Sequence, residues 1–154
     1  MVEMSTSTLS QQQRVFIDSL ADLLSAWSMP VNAARLYGYL QIMNEPSSLE
    51  DIARDLQISR SHAHSAAKVL EEHGNAKGLP TRGSKLVRYV CGDDPGMPLR
   101  RQVSTLGRMS ELIASKSSEV SQGDASKRLV RLAKFHRKLQ ESMQAVIEPG
   151  SSRS

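Results

Sequence analysis

The sequence predicts a mainly α-helical fold with one small β-hairpin, and three observations lead to this prediction. Between Ser48 and Gly74, two short helical patterns are joined by a turn of about three residues, as in a helix-turn-helix. Two short strand-like runs, Ala76–Leu79 and Leu86–Val90, follow directly. Long segments on both sides repeat apolar residues at helical spacing. Together these patterns predict a winged helix-turn-helix flanked by N- and C-terminal helices.

The composition is that of a globular chain with room for a core. A length of 154 residues suits one domain, or a small domain with extra helices. Apolar residues make up 39% of the chain, and no apolar run approaches the roughly 18 residues that span a membrane. The first residues lack the basic and apolar regions of a signal peptide, so we expect a cytoplasmic protein. The single cysteine, Cys91, excludes an intrachain disulfide and a cysteine-rich zinc site.

The net charge of +4 is unevenly distributed. Residues 1–30 contain one basic and three acidic residues, residues 31–96 contain eight of each, and residues 97–154 contain eleven basic and five acidic residues. Within residues 60–89, six basic residues accompany only two acidic ones. This local excess of positive charge favours nucleic acid as a partner.

The first predicted helix covers about residues 9–29 and follows a polar start that we expect to be frayed up to Thr8. Pro30 interrupts the helical pattern and fits the first turn of a second helix, which continues to about Met43. The apolar side of this second helix consists of Ala33, Leu36, Tyr37 and Leu40. Residues 44–47 connect it to the helix-turn-helix.

The helix-turn-helix begins with a capping signal. Ser48 can cap the first helix while Asp51 reaches back to the backbone, and Ser59 is the expected N-cap of the second helix. One side of this second helix is apolar and small, with Ala63, Ala66, Ala67 and Leu70. The opposite side carries Ser61, His64, Ser65 and Lys68. Such polar residue types reach base edges and phosphates, so we expect a recognition helix.

The predicted hairpin after Gly74 has the features of a wing. Pro80 and Gly83 are turn formers, the tip carries Arg82 and Lys85, and Arg88 lies on the returning strand. Basic side chains at a hairpin tip can contact the minor groove while the helix lies in the major groove.

Two further helices follow a connector at residues 92–98. The first runs from Leu99 to about Gln122 and contains Gly107, which costs about 1 kcal/mol relative to alanine. After a break at Gly123, with Asp124 as the expected N-cap, the last helix shows a heptad seam. The seam consists of Ala125, Leu129, Leu132, His136, Leu139, Met143 and Val146.

The stretch from about Met29 to Val103 resembles the MarR superfamily of bacterial winged-helix transcriptional regulators, particularly its GbsR-like branch. The matching segments are RLYGYL (35–40), EPSSLEDIARDL (45–56), ISRSHAHSAAKVLEEHG (58–74), the hairpin through RYV, and GDDP before a long helix. The resemblance implies a homodimer with interlocking terminal helices and two recognition helices on a palindromic operator. It also implies an effector pocket between the dimer helices and the DNA-binding lobe.

We therefore expect a dimeric, sequence-specific DNA-binding transcriptional regulator, a repressor controlled by a small-molecule effector. The expected domains are an N-terminal dimerisation helix (1–29), the DNA-binding domain (30–96), C-terminal dimerisation helices (97–148) and a disordered tail (149–154). The expected DNA contacts are Ser59, Arg60, Ser61, His62, His64, Ser65, Lys68, Arg82, Lys85 and Arg88. The expected dimer contacts are Phe16, Leu20, Trp27, Leu129, Leu132, His136, Leu139, Met143 and Val146.

Other functions are compatible with parts of the pattern. A winged helix can serve as a protein-interaction module, or the chain can be a non-specific DNA-architectural protein. We predict no enzyme, cofactor or metal, because the sequence has no glycine-rich phosphate loop, nucleophile elbow or metal-ligand cluster. His62 and His64 diverge by about 200° on a helix, which disfavours chelation. Cys91 is interpreted as a packed thiol, with a redox sensor as the alternative.

Overall fold

The structure is a computed structural model, and it describes residues 6–148. The expected disordered tail at 149–154 and the first five residues of the expected frayed start lie outside the described residues. The chain forms two compact units, which divide between Asp94 and Pro95. Each unit is described separately below.

The first unit is a winged helix-turn-helix, as the sequence predicts. Its helices are α1 (Gln11–Leu24), α2 (Val31–Ile42), α3 (Leu49–Leu56) and α4 (Arg60–Glu72), with a 3-10 turn at Ser25–Trp27. Its strands are β1 (Ser47–Ser48), β2 (Ala76–Pro80) and β3 (Val87–Cys91). They form an antiparallel sheet in the order β1-β3-β2. The second unit consists of α5 (Met97–Val120) and α6 (Gly123–Ile147).

The capping pattern predicted for the helix-turn-helix is confirmed. The Ser48 hydroxyl accepts a hydrogen bond from the Asp51 amide at 3.1 Å, and the Asp51 carboxylate accepts one from the Ser48 amide at 3.0 Å. The Ser59 hydroxyl caps α4 by accepting from the His62 amide. Between the two helices Gln57 adopts a left-handed conformation with φ of 55°. For a residue other than glycine this conformation costs roughly 1 kcal/mol.

The core of this unit forms where α4 packs against α2 and α3. The predicted inner side of α4 is buried: Ala63 and Ala67 are 0% exposed, and Ala66 and Leu70 are also inaccessible. Small side chains on the inner side allow α4 to pack closely against its neighbours. The opposite side of α4 is exposed to solvent. Tyr39 of α2 is one of the largest fully buried side chains. The sequence pattern instead placed Tyr37 on the buried side, and Tyr37 is only half-buried.

A buried carboxylate ties the N-terminal segment to α3. Asp55 accepts hydrogen bonds from the Thr8 amide at 2.9 Å and the Thr8 hydroxyl at 2.8 Å, while the Ser7 hydroxyl donates to the Asp55 carbonyl. Arg35 makes a second connection, because its Nε lies 3.1 Å from Asp18 of α1 and its NH2 donates to the Leu56 carbonyl at 2.9 Å. The prediction of a frayed start is therefore wrong for Ser7 and Thr8.

Several predicted boundaries were also wrong. The first helix ends at Leu24 rather than near Met29, because the 3-10 turn follows and Ser28 takes a positive φ of 60°. Pro30 is the N-cap of α2 and lies outside its first turn. Asp124 lies in the first turn of α6, and Gln122 is the N-cap. The two-residue strand β1 was missed, since Ser47 and Ser48 carry no alternating pattern and are in a strand only because they pair with β3.

The second unit is a two-helix hairpin whose contact surface consists of small side chains. Val103, Ser110 and Ser117 of α5 are buried at intervals of seven residues, and Ala133 is the buried residue of α6. The Ser110 hydroxyl donates a 2.8 Å hydrogen bond to the Ala133 carbonyl. A side chain at Gly107 would meet the Gln140 amide, so the glycine leaves room for that side chain.

Candidate nucleic-acid interface

The exposed side of α4 is the centre of the candidate interface. The residues on this side are exposed and have polar or basic side chains: Arg60, Ser61, His62, His64, Ser65 and Lys68. Ser59 precedes them as the exposed N-cap. The helix therefore presents donors, acceptors and positive charge on a surface that its buried alanines hold in place.

Charge on α4 is polarised along its axis. Arg60 and Lys68 are basic, whereas Glu71 and Glu72 occupy the last turn. The N-terminal amides of a helix also favour anions. The first two turns of α4 are thus the part of the helix best suited to approach phosphates.

Arg60 has a partner that the sequence analysis missed. Its NH1 lies 3.5 Å from Glu50 at the start of α3, and both side chains are mostly exposed. An exposed pair of this kind contributes little stability. Arg60 can therefore leave Glu50 for a phosphate or a base at small cost in free energy. Residue spacing did not reveal this contact because ten positions separate the partners.

The wing exposes basic side chains at its tip and on both of its strands, among them Lys77 on β2. β2 and β3 pair from Ala76 opposite Cys91 to Pro80 opposite Val87, and the tip between them carries Arg82 and Lys85. The turn is fixed by Gly83, which has a positive φ of 76°, and by a 3.0 Å hydrogen bond from the Thr81 amide to the Leu86 carbonyl. Arg88 on β3 is also exposed, and its NH1 lies 3.4 Å from the Thr81 hydroxyl. That contact directs Arg88 towards the tip.

The buried Asp55 carboxylate lies at the C-terminal end of α3, next to the turn that leads into α4. Burial alone would raise the pKa of Asp55, but donors on Arg54, Thr8 and Tyr39 outweigh it and hold the pKa at about 2. The same burial raises the pKa of Tyr39 well above its ordinary value. At neutral pH a carboxylate and a neutral phenol therefore fix the C-terminal end of α3, which precedes the turn into α4.

Cys91 is half-buried at the end of β3 and packs against the core. Within residues 6–148, no group of three or more histidine, cysteine, aspartate or glutamate side chains could hold a metal ion. In the same range, no helix is long and apolar enough to cross a bilayer.

The residues predicted at a dimer interface occupy exposed or half-buried positions. In the first unit, Phe16 and Trp27 are 48% and 43% exposed, and Leu20 is half-buried. In α6, Leu132, Leu139 and Val146 are exposed, whereas Leu129, His136 and Met143 are half-buried. The α6 seam lies beside the surface around Ala133 that contacts α5. Large apolar side chains thus remain accessible on α1 and on α6.

Comparison with known proteins gives the fold. Neither a protein-family model nor a curated protein sequence matches the chain. Among solved structures, one described as a transcriptional regulator aligns with a TM-score of 0.70 over 92% of this chain and 99% of that chain, at 17% identity. A second, described as the transcriptional regulator SlyA, covers 89% of this chain and 99% of its own, at 21% identity and a TM-score of 0.36. The first alignment shows that 92% of the chain shares the fold of that solved structure.

Proposed function

We propose that the chain is a homodimeric, sequence-specific DNA-binding transcriptional regulator, in which α4 enters the major groove and the wing contacts the adjacent minor groove. The observation that carries this proposal is the exposed polar side of α4, which lies opposite a buried alanine side and in the same unit as a basic wing tip. Arg60, His64 and Ser65 would lie closest to base edges, while Lys68, Ser59 and Ser61 would hold phosphates. His62 would lie near a phosphate.

Dimerisation is supported by the apolar side chains that neither unit buries. Large exposed apolar side chains are often covered by a partner. Phe16 on α1 and Trp27 in the following 3-10 turn, with Leu132 and Leu139 on α6, would be covered by a second copy. In a symmetric dimer the two recognition helices enter successive major grooves when they are about 34–36 Å apart, which requires a palindromic operator.

Effector control is the part of the proposal that concerns the second unit. A cavity of about 250 Å³ lies between α5 and α6. Its lining is mainly polar: Arg100, Val103, Ser104, Gln140, Gln144, Ile147 and Glu148. A ligand that binds one dimer arrangement better than another would change the separation of the recognition helices and so relieve repression.

The test is a mobility-shift assay with the duplex upstream of the protein's own gene and a random duplex as competitor. Lys68→Glu places a negative charge on the reading side of α4, and Arg14→Glu makes the same charge change on the exposed surface of α1. We expect Lys68→Glu to weaken the specific shift at least tenfold and Arg14→Glu to leave it nearly unchanged. Equal binding of both duplexes would indicate an architectural protein. A specific shift that withstands Lys68→Glu would contradict the role of α4.

A further inference from the structure

The two units differ in the sign of their charge. Residues 1–94 contain nine basic and eleven acidic residues, whereas residues 95–154 contain eleven basic and five acidic residues. The winged-helix unit that we propose to read DNA is therefore net negative, and the helical hairpin is strongly positive. Attraction to a polyanion depends on the summed positive field. The hairpin therefore supplies the chain's net positive charge, in addition to the local basic excess within residues 60–89.

Within the hairpin, four basic residues of α6 form one line. Lys127, Arg131, Lys134 and Lys138 recur at spacings of four, three and four residues, so they lie within an arc of about 60° on the helix. We call these four residues the α6 stripe. They span about 16 Å along the axis and lie roughly 130° around the helix from Ala133, which faces α5.

The α6 stripe is accessible and takes part in none of the ion pairs of the described residues. All four side chains are exposed. Among the described residues, the ion pairs of this unit join Arg100 to Glu148 and Lys116 to Glu119, and none includes a member of the stripe. Four positive charges at close spacing repel one another. The nearest carboxylates on the same side of α6 are Asp124 and Glu141, at the two ends of the stripe, and neither forms an ion pair with a stripe residue.

We infer that the α6 stripe is a second DNA-binding surface, which holds the phosphate backbone of duplex DNA without reading its sequence. The inference rests on the proposed function. The α6 stripe would supply affinity that does not depend on the DNA sequence, and α4 would add the preference for the operator. Over about 16 Å one DNA strand presents about five phosphates, a charge density close to that of the stripe. Three of the four residues are lysines, whose flexible ammonium groups suit phosphates at variable positions. Planar recognition of protein carboxylates favours arginine instead.

The test measures the salt dependence of binding to a random duplex of about 30 base pairs by fluorescence anisotropy. The stripe variant carries Lys127→Gln, Arg131→Gln, Lys134→Gln and Lys138→Gln. The matched control changes four other exposed arginines of the same unit: Arg101→Gln, Arg108→Gln, Arg128→Gln and Arg137→Gln. We expect the slope of log Kobs against log salt to fall by about 3 in the stripe variant and by less than 1 in the control.

Further measurements separate this inference from the proposed function. Circular dichroism melting and light scattering check that both variants keep the fold and mass of the wild type. The double variant Lys134→Gln with Lys138→Gln, which perturbs the helix less, should show about half the change in slope.

An unchanged slope in the stripe variant, with specific binding intact, overturns the inference and leaves the proposed function standing. A reduced slope in the stripe variant, with no effect of Lys68→Glu on operator preference, supports the stripe and contradicts the proposed function of α4. If the stripe variant is no longer retained on immobilised polyglutamate while its duplex slope is unchanged, the stripe binds an acidic protein partner, and the inference is overturned.

Discussion

The Tyr39 hydroxyl lies 2.7 Å from the Asp55 carboxylate and donates a hydrogen bond to it. This contact joins α2 to α3 inside the winged-helix unit, and the same carboxylate accepts from Thr8 and Arg54. A buried carboxylate with this many donors is stable only while it is ionised. The pair therefore makes the stability of the unit depend on pH.

Acid should destabilise the wild type through Asp55. Its pKa is lowered from 3.8 to about 2, so the stabilisation is fully present above pH ~4 and disappears as the pH falls towards ~2. We expect a loss of about 2 kcal/mol in the free energy of unfolding over this window that Asp55→Asn does not show. Urea denaturation at several pH values from 7 to 2.5 measures it. Asp22→Asn, at an exposed carboxylate of α1, is the control and should follow the wild type; an identical profile for Asp55→Asn would contradict the prediction.

Removing the basic wing tip should weaken DNA binding broadly. Replacement of Arg82 and Lys85 by alanine takes away two expected phosphate contacts, so the slope of log Kobs against log salt should fall by about 2. Anisotropy titrations between 50 and 300 mM salt would measure this change. Lys77→Ala, at an exposed position of β2 outside the tip, should leave the slope almost as it is. If the slope of the double variant is unchanged, the wing does not contact DNA.

Charge in the α6 seam should dissociate the proposed dimer. Leu132→Glu combined with Leu139→Glu places two carboxylates on the exposed apolar side of the helix, where a partner copy would have to bury them. We expect sedimentation equilibrium to show a dimer for the wild type and a monomer for this variant at the same concentration. Ser142→Glu with Ala145→Glu adds the same charge to other exposed positions of α6 and should preserve the dimer. A dimer that persists in the leucine variant would move the interface elsewhere.

Two glycines should respond in opposite ways to alanine. A side chain at Gly92 would collide with the backbone carbonyl of Gly74, and the Gly92 amide donates a 2.9 Å hydrogen bond to the Asn75 carbonyl, so Gly92→Ala should destabilise the wing by about 1–3 kcal/mol. A side chain added at Gly107 would meet only the flexible end of Gln140. Alanine at this helical position should stabilise the helix by up to about 1 kcal/mol relative to glycine. Chemical denaturation of the two variants should therefore give changes of opposite sign. Equal destabilisation would show that Gln140 cannot move aside.

Local signals made the helix-turn-helix predictable from the sequence. Ser48 and Ser59 cap helices through bonds to residues three positions away, and the alanine side of α4 repeats at helical spacing. The exposure of Ser61, His64, Ser65 and Lys68 follows from the same periodicity. These features depend on neighbours within a few residues, and sequence patterns report such relationships well.

Contacts between distant residues could not be predicted in the same way. Asp55 lies at a position that an amphipathic pattern assigns to solvent, and its partner Thr8 is 47 residues away. The contact between α5 and α6 uses Ser110 and Ala133, whose small size gives no hydrophobic signal. The most visible sequence pattern in α6 is the heptad of larger apolar residues, which lies beside the contact with α5.

Arg35 holds the first helix and the turn before α4 at once, since it pairs with Asp18 and donates to the Leu56 carbonyl. Together with the Thr8–Asp55 hydrogen bonds, it links α1 and the segment before it to the helix-turn-helix. If the chain dimerises through α1 as we propose, a force on α1 would move the winged-helix unit as a whole. A change at that proposed interface would then reorient α4 without a conformational change inside the unit.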